Sequence, residues 1–203
     1  MARIETQEQL RTLYDAPMGR ALGKELAHLD RHCRRFIGLS PFLVIASMDG
    51  AGRADVSPRG DRPGSVIVLD DHHLAIADWP GNNRLDTLSN LLENPAVGLL
   101  FLIPGIRETM RVNGTAEIRD DEELRTEFAV DGRLPRTVIL VTVQEAYIHC
   151  AKAMMRSRLW EEDAKVERNA LPTINEIIRD QMGDAGPVES EEAMVERYRK
   201  ILY

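Results

Sequence analysis

The sequence predicts a mainly β fold with flanking helices: six or seven antiparallel strands closed into a small barrel, one helix inserted between them, and helical segments at both ends. Three observations carry this. Short runs rich in Val, Ile, Leu and Thr, each cut off by Gly, Pro or Asp, recur between residues 42 and 149. One leucine pattern at helical spacing (Leu85, Leu88, Leu91, Leu92) interrupts them and stops at Asn94-Pro95. A sheet of that many antiparallel strands would carry two unpaired edges, which closure into a barrel removes.

The N-terminal residues 1–38 read as helical. Leu10, Leu13 and Tyr14 make a short apolar face, and Leu22, Leu26, Leu29, Cys33 and Phe36 then form one stripe of an amphipathic helix that ends at Gly38. Strands follow: 42–48 ends at the turn Asp49-Gly50-Ala51-Gly52, and 53–57 returns antiparallel to it. Residues 58–64 hold too much Pro and Gly for a regular element. Strands 65–69 and 74–77 make a hairpin, a helix covers 83–93, and 96–102 is a continuous apolar run buried on both sides. The long strand 109–118 contains Gly114, which marks a bulge or a close backbone contact. A short acidic helix over 120–129 leads to the last strand, 137–149. Beyond the barrel (39–160) lies a C-terminal extension (161–203), with a capping box of Thr173 and Glu176 and a final helix starting at Ser190.

Bulk properties narrow the function. The 203 residues bury one good core. A net charge of −7 argues against a nucleic-acid surface. No run reaches transmembrane length, and residues 1–10 are too polar for a signal peptide. Two cysteines make no disulfide framework, so a reducing cytoplasm is expected. His28 and His32 stand four apart without a third ligand, which gives surface histidines rather than a metal site. His149 and Cys150 are neighbours on a strand and point to opposite faces, and His72-His73 sits at a hairpin tip.

The residues that suggest chemistry lie at the helix entry Trp79-Pro80-Gly81-Asn82-Asn83-Arg84. A glycine turn and an arginine at a helix mouth combine free N–H groups, a favourable dipole end and a fixed cation, which suits a phosphate. Set against this, Arg59 and Arg84 can equally be surface arginines paired with Asp61 or Asp86.

The strand–turn–strand of 42–57, the GNNR entry and the stretches VSPRGDRPG, LLENPAVGLLFLIPG, ETMRVNGTAEI and HCAKAMMRSRLW together resemble the pyridoxamine 5′-phosphate oxidase-like FMN-binding split barrels. Within these, a bacterial subfamily grouped as FMN-dependent enzymes is the most similar, and the resemblance runs from Phe36 to Leu171. It implies a homodimer with FMN at the interface. It puts Ser57, Pro58, Arg59 and Gly60 on the phosphate or ribityl chain, with Asn82, Asn83 and Arg84 where the family carries Ser-Arg-Lys. The backbone of Ile76, Ala77 and Asp78 then passes beside the flavin ring. From the other subunit the resemblance brings Lys152, Arg156, Ser157, Arg158 and Trp160, although Trp160 can equally be a packing residue, and Lys152 and Arg156 a solvated face. The Arg-x-His substrate motif of genuine pyridoxamine phosphate oxidases is missing, so vitamin B6 oxidation is not expected and the substrate stays open. Three functions follow in order: an FMN-dependent oxidoreductase acting on a small molecule, a flavin-binding store or sensor, and a relative that uses a deazaflavin or haem.

Overall fold

A computed structural model describes residues 3–203; the first two residues of the polar 1–10 stretch lie outside the described residues. Seven strands form one sheet: β1 (Phe42–Met48), β2 (Ala54–Gly60), β3 (Val66–Val68), β4 (His73–Asp78), β5 (Ala96–Leu102), β6 (Thr109–Arg119) and β7 (Thr137–His149). Their order is β2-β1-β5-β6-β7-β4-β3, and every neighbouring pair is antiparallel. Period-two burial along β1, β5 and β6 sends Leu43, Ile45, Val97, Leu99, Phe101, Met110 and Val112 into one core. Leu29, Cys33, Phe36 and Ile37 cap that core from the N-terminal side.

The sheet curls into a half-barrel and does not zip shut. β2 and β3 remain its two edges. Their chemistry explains this: β2 contains Pro58, which has no N–H to donate, and β3 is only three residues long. β2 also corrects the sequence reading, since it continues through Pro58, Arg59 and Gly60 where a loop was expected. Proline is tolerated there because β2 pairs on one side only.

The helical stripe expected over residues 22–36 is broken into α2 (Gly19–Gly23) and α3 (Arg31–Leu39), preceded by α1 (Gln7–Arg11). Asp30 is the cause: its carboxylate accepts from the N–H groups of His32 and Cys33 at 2.9 and 2.8 Å and starts a new helix. Leu26 instead exchanges two backbone bonds with Ala146, at 3.0 and 2.8 Å. Gly114 does mark a bulge. The β6–β7 register shifts between Asn113 and Gly114, and a Cβ on Gly114 would lie 2.0 Å from the Thr142 carbonyl oxygen.

The inserted helix α4 (Asp86–Glu93) begins three residues later than its leucine pattern suggests, because Asn83 and Leu85 are left-handed, with φ of 58° and 59°. The acidic helix α5 (Glu122–Thr126) is shorter than expected, while Leu124 and Phe128 still pack on Ala75 and Val138. After β7 come α6 (Lys152–Ser157), α7 (Ile174–Met182) and α8 (Glu191–Arg199). The Thr173–Glu176 capping box is formed in full, and Ser190 caps α8.

Candidate functional site

The opening left between the two edges of the half-barrel is a cavity of about 630 Å³, within the usual range of small-ligand sites. Period two along β2 turns Asp55, Ser57 and Arg59 to its inner side and leaves Val56, Pro58 and Gly60 at the surface. The end of β4 supplies Ile76, Ala77 and Asp78, and the loop to α4 supplies Asn82, Asn83 and Arg84. Ser57, Pro58, Arg59 and Gly60 complete the set, so one cavity gathers ten residues that the sequence singled out.

Arg59 and Asp78 meet across the split, Nη2 to Oδ1 at 3.5 Å, with side chains 26% and 18% exposed. Burial pushes the Asp78 carboxyl above its usual range, while the Arg59 charge draws it back. The rest of the Arg59 guanidinium is poorly satisfied. Nη1 donates to the neighbouring Pro58 carbonyl at 3.1 Å, and Nε is buried with no partner. Thr137, which pairs with Asp78 in the sheet, has a buried hydroxyl that is also unpartnered. Among the described residues three buried side-chain polar atoms lack a partner, and two of them belong to residues that line this cavity. An orphaned buried donor costs about 1–3 kcal/mol, so the two, one on each side of the split (Arg59 on β2 and Thr137 beside β4), mark a place where a ligand oxygen or a water completes the bonding.

Asp55 fastens the site together beneath. It accepts from the hydroxyls of Ser57 (3.1 Å) and Thr87 (2.9 Å), and so ties β2 to the first turn of α4. The hydroxyl hydrogen of Ser57 is therefore spent on Asp55, and its remaining capacity toward the cavity is as an acceptor.

The helix mouth differs from expectation. Arg84 lies in the loop rather than the first helical turn, is largely exposed, and donates through Nε to Asp86 Oδ2 at 2.8 Å. Its backbone N–H goes to Asn82 Oδ1 at 3.0 Å, closing an Asx turn. Arg84 is thus a neutralised cation at the rim, and Arg59 is the guanidinium with bonding capacity inside.

Lys152, Arg156, Ser157, Arg158 and Trp160 do not line this cavity. Lys152 and Arg156 are exposed on α6, Ser157 Oγ bonds the Met154 carbonyl, and Arg158 pairs with Asp163. The Trp160 indole donates to the Ile106 carbonyl at 2.8 Å, which anchors the segment to the turn between β5 and β6. His149 is half-buried against the Tyr147 ring, while Cys150 is exposed.

Several lining residues carry no signal in the sequence. Arg136 and Thr137 open β7, and Arg136 stands at the rim without an ion-pair partner among the described residues. Asp61, Leu202 and Tyr203 also line the cavity, the last two arriving from the far end of the chain. Only the fold brings these residues to the split.

A family model described as pyridoxamine 5′-phosphate oxidase matches residues 29–150. Among solved structures, a variant of HupZ from Group A Streptococcus is 18% identical, with 60% of this chain and 99% of that one covered and a TM-score of 0.50. General Stress Protein 26 from Bacillus anthracis is 16% identical over 58% of this chain and 93% of its own, with a TM-score of 0.43. The likeness to HupZ is one of fold. No curated protein matches the sequence.

Proposed function

Because the chain belongs to the pyridoxamine 5′-phosphate oxidase family, we propose that it is a flavoprotein that holds FMN in the split of its half-barrel and acts as an FMN-dependent oxidoreductase on a small molecule. The observation that carries this reading is the pair of unpartnered buried groups, Arg59 Nε and the Thr137 hydroxyl, which belong to two residues that line a cavity of about 630 Å³. A guanidinium with a free donor on one side of the split and a hydroxyl on the other are complementary to a phosphate monoester. Bound there, FMN supplies two-electron transfer between a donor such as a nicotinamide and a small acceptor.

The chain's own residues then bind, orient and shield. Arg59 supplies the charge, Thr137 a hydroxyl, and Asn82 and Asn83 the polar lip, while Asp55 keeps β2 and α4 at fixed separation through Ser57 and Thr87. Asp78 holds Arg59 in place from the opposite side. Ile76, Ala77 and Asp78 bring the backbone at the end of β4 to the cavity, a strip beside which a flat ring can lie.

We extend the proposal to a homodimer. The outer face of β1 and β5 presents Val44, Ala46, Met48, Leu100 and Leu102, an apolar strip suited to a second copy. Across such an interface Lys152, Arg156 and Trp160 become candidates for the partner's cavity, as the family resemblance implies. Two unpaired cysteines, Cys33 and Cys150, support a reducing cytoplasm as the setting.

The test is spectroscopic and kinetic. Purified protein is expected to be yellow, to release FMN on denaturation, and to oxidise NADH or NADPH faster than free FMN does. A yellow protein without turnover toward any donor supports a flavin store instead. A chromophore with a deazaflavin or haem spectrum replaces FMN in the account.

A further inference from the structure

The residues after α8 cross the open side of the cavity. Tyr203 donates its hydroxyl to Asp61 Oδ1 at 2.6 Å, its ring meets Trp79 edge-on with centroids 5.0 Å apart, and its carbonyl accepts from Arg133 Nη1 at 2.7 Å. Asp61 directly follows β2 and Trp79 directly follows β4, so one side chain spans the two sides of the split. Asp61 is itself held, through its N–H to the Pro41 carbonyl at 3.0 Å. Leu202 and Tyr203 both line the cavity, and about 630 Å³ stays open with them in place. Tyr203 is therefore a wall of the cavity and not a plug in it.

The hold is strong at one point and thin elsewhere. α8 buries only Met194, and Val195, Tyr198, Ile201 and Leu202 keep large apolar surfaces in water. A segment with so little buried area opens locally without unfolding the barrel. We infer that Tyr203 is a positioning residue of this cavity and that the segment after α8 is a strap, latched on Asp61 and Trp79, that retains the bound ligand. The inference rests on the flavin reading only for its probe.

Stopped-flow release of FMN, followed by recovery of free-flavin fluorescence, tests it in the wild type, Tyr203→Phe and Tyr203→Ala. Loss of one charge-assisted bond and one aromatic contact predicts release at least about tenfold faster for Tyr203→Ala. Tyr203→Phe keeps the ring and falls between, and association is not slowed in either variant. Unchanged release from Tyr203→Ala overturns the strap, and so does faster association with tighter binding, which would make Tyr203 a plug. A ligand-free readout separates this from failure of the flavin reading. In a Trp160→Phe background, acrylamide quenching of Trp79 rises when Tyr203 becomes Ala if the strap exists, and stays the same if it does not. A wild type that takes up no FMN sinks the flavin reading, and the strap is then decided by the quenching alone.

Discussion

Replacing Arg59 by alanine separates the phosphate end of a flavin from the rest of it. The guanidinium sits across the split from Asp78 at 3.5 Å, three-quarters buried, with Nε unpartnered. A bond from such a group to a charged oxygen is worth about 1.5–3 kcal/mol. At about 1.4 kcal/mol per factor of ten, Arg59→Ala weakens FMN binding about 10- to 150-fold. The change also strips Asp78 of its counter-ion, leaving a carboxylate already raised by burial to face the phosphate. Riboflavin has no phosphate, so its affinity changes by about twofold or less, the scale of a substitution away from the contact. Asp78→Asn moves FMN the other way, toward tighter binding, because it removes a negative charge and leaves Arg59 free. Equilibrium titration by flavin fluorescence quenching, with both ligands and both variants, reads these changes. Equal losses for FMN and riboflavin, or no loss of FMN, refute the assignment of Arg59.

Arg84→Ala weakens FMN by less than Arg59→Ala in the same titration, because Arg84 is exposed and already paired with Asp86; a larger loss returns the phosphate to the helix mouth. Gly114→Ala costs about 3 kcal/mol or more in chemical denaturation, since its methyl group would lie 2.0 Å from the Thr142 carbonyl and the strand must shift; a cost below about 1 kcal/mol contradicts the bulge. Burial, then the charges of Arg111 and Lys24, hold His149 below its ordinary value of 6.5. The unfolded chain takes up that proton first as pH falls, so stability is lost from about pH 6.5 down through the native value. His149→Gln flattens the fall in that window when stability is measured against pH.

The strands were legible because period-two alternation and turn chemistry are local. The bounds of 96–102 and 137–149 match the sequence reading, but 96–102 is buried on one face only. Val97, Leu99 and Phe101 enter the core while Leu100 and Leu102 stay partly open, so its continuous apolar run does not mean burial on both sides. Gly114 announces its bulge by interrupting a long strand. The misreadings each have a non-local cause. Leu22 and Leu26 share helical spacing with Leu29 and Cys33, yet Asp30 caps a helix between them and Leu26 pairs with Ala146, 120 residues away in sequence. Pro58 looks like a loop residue until its strand is known to be an edge. Closure failed for the same reason, since a strand with proline and a three-residue partner cannot knit a seam. At the site, Ser57 and Arg59 could be found from the sequence because the VSPRGDRPG stretch carries the family resemblance; that they alternate on one strand is visible only in the structure. Thr137, Arg136 and Tyr203 could not, because pairing with β4 and the path of the chain after α8 alone deliver them to the cavity.

The seam that stays open between the sheet's two margins is the heart of the account, and a crystal structure of the protein soaked with FMN tests it most directly. The nucleotide is expected there, with phosphate oxygens in hydrogen-bond range of Arg59 and its ring end toward Ile76 and Ala77. FMN ordered elsewhere on the molecule, or lying in the seam with its phosphate turned away from Arg59, contradicts it.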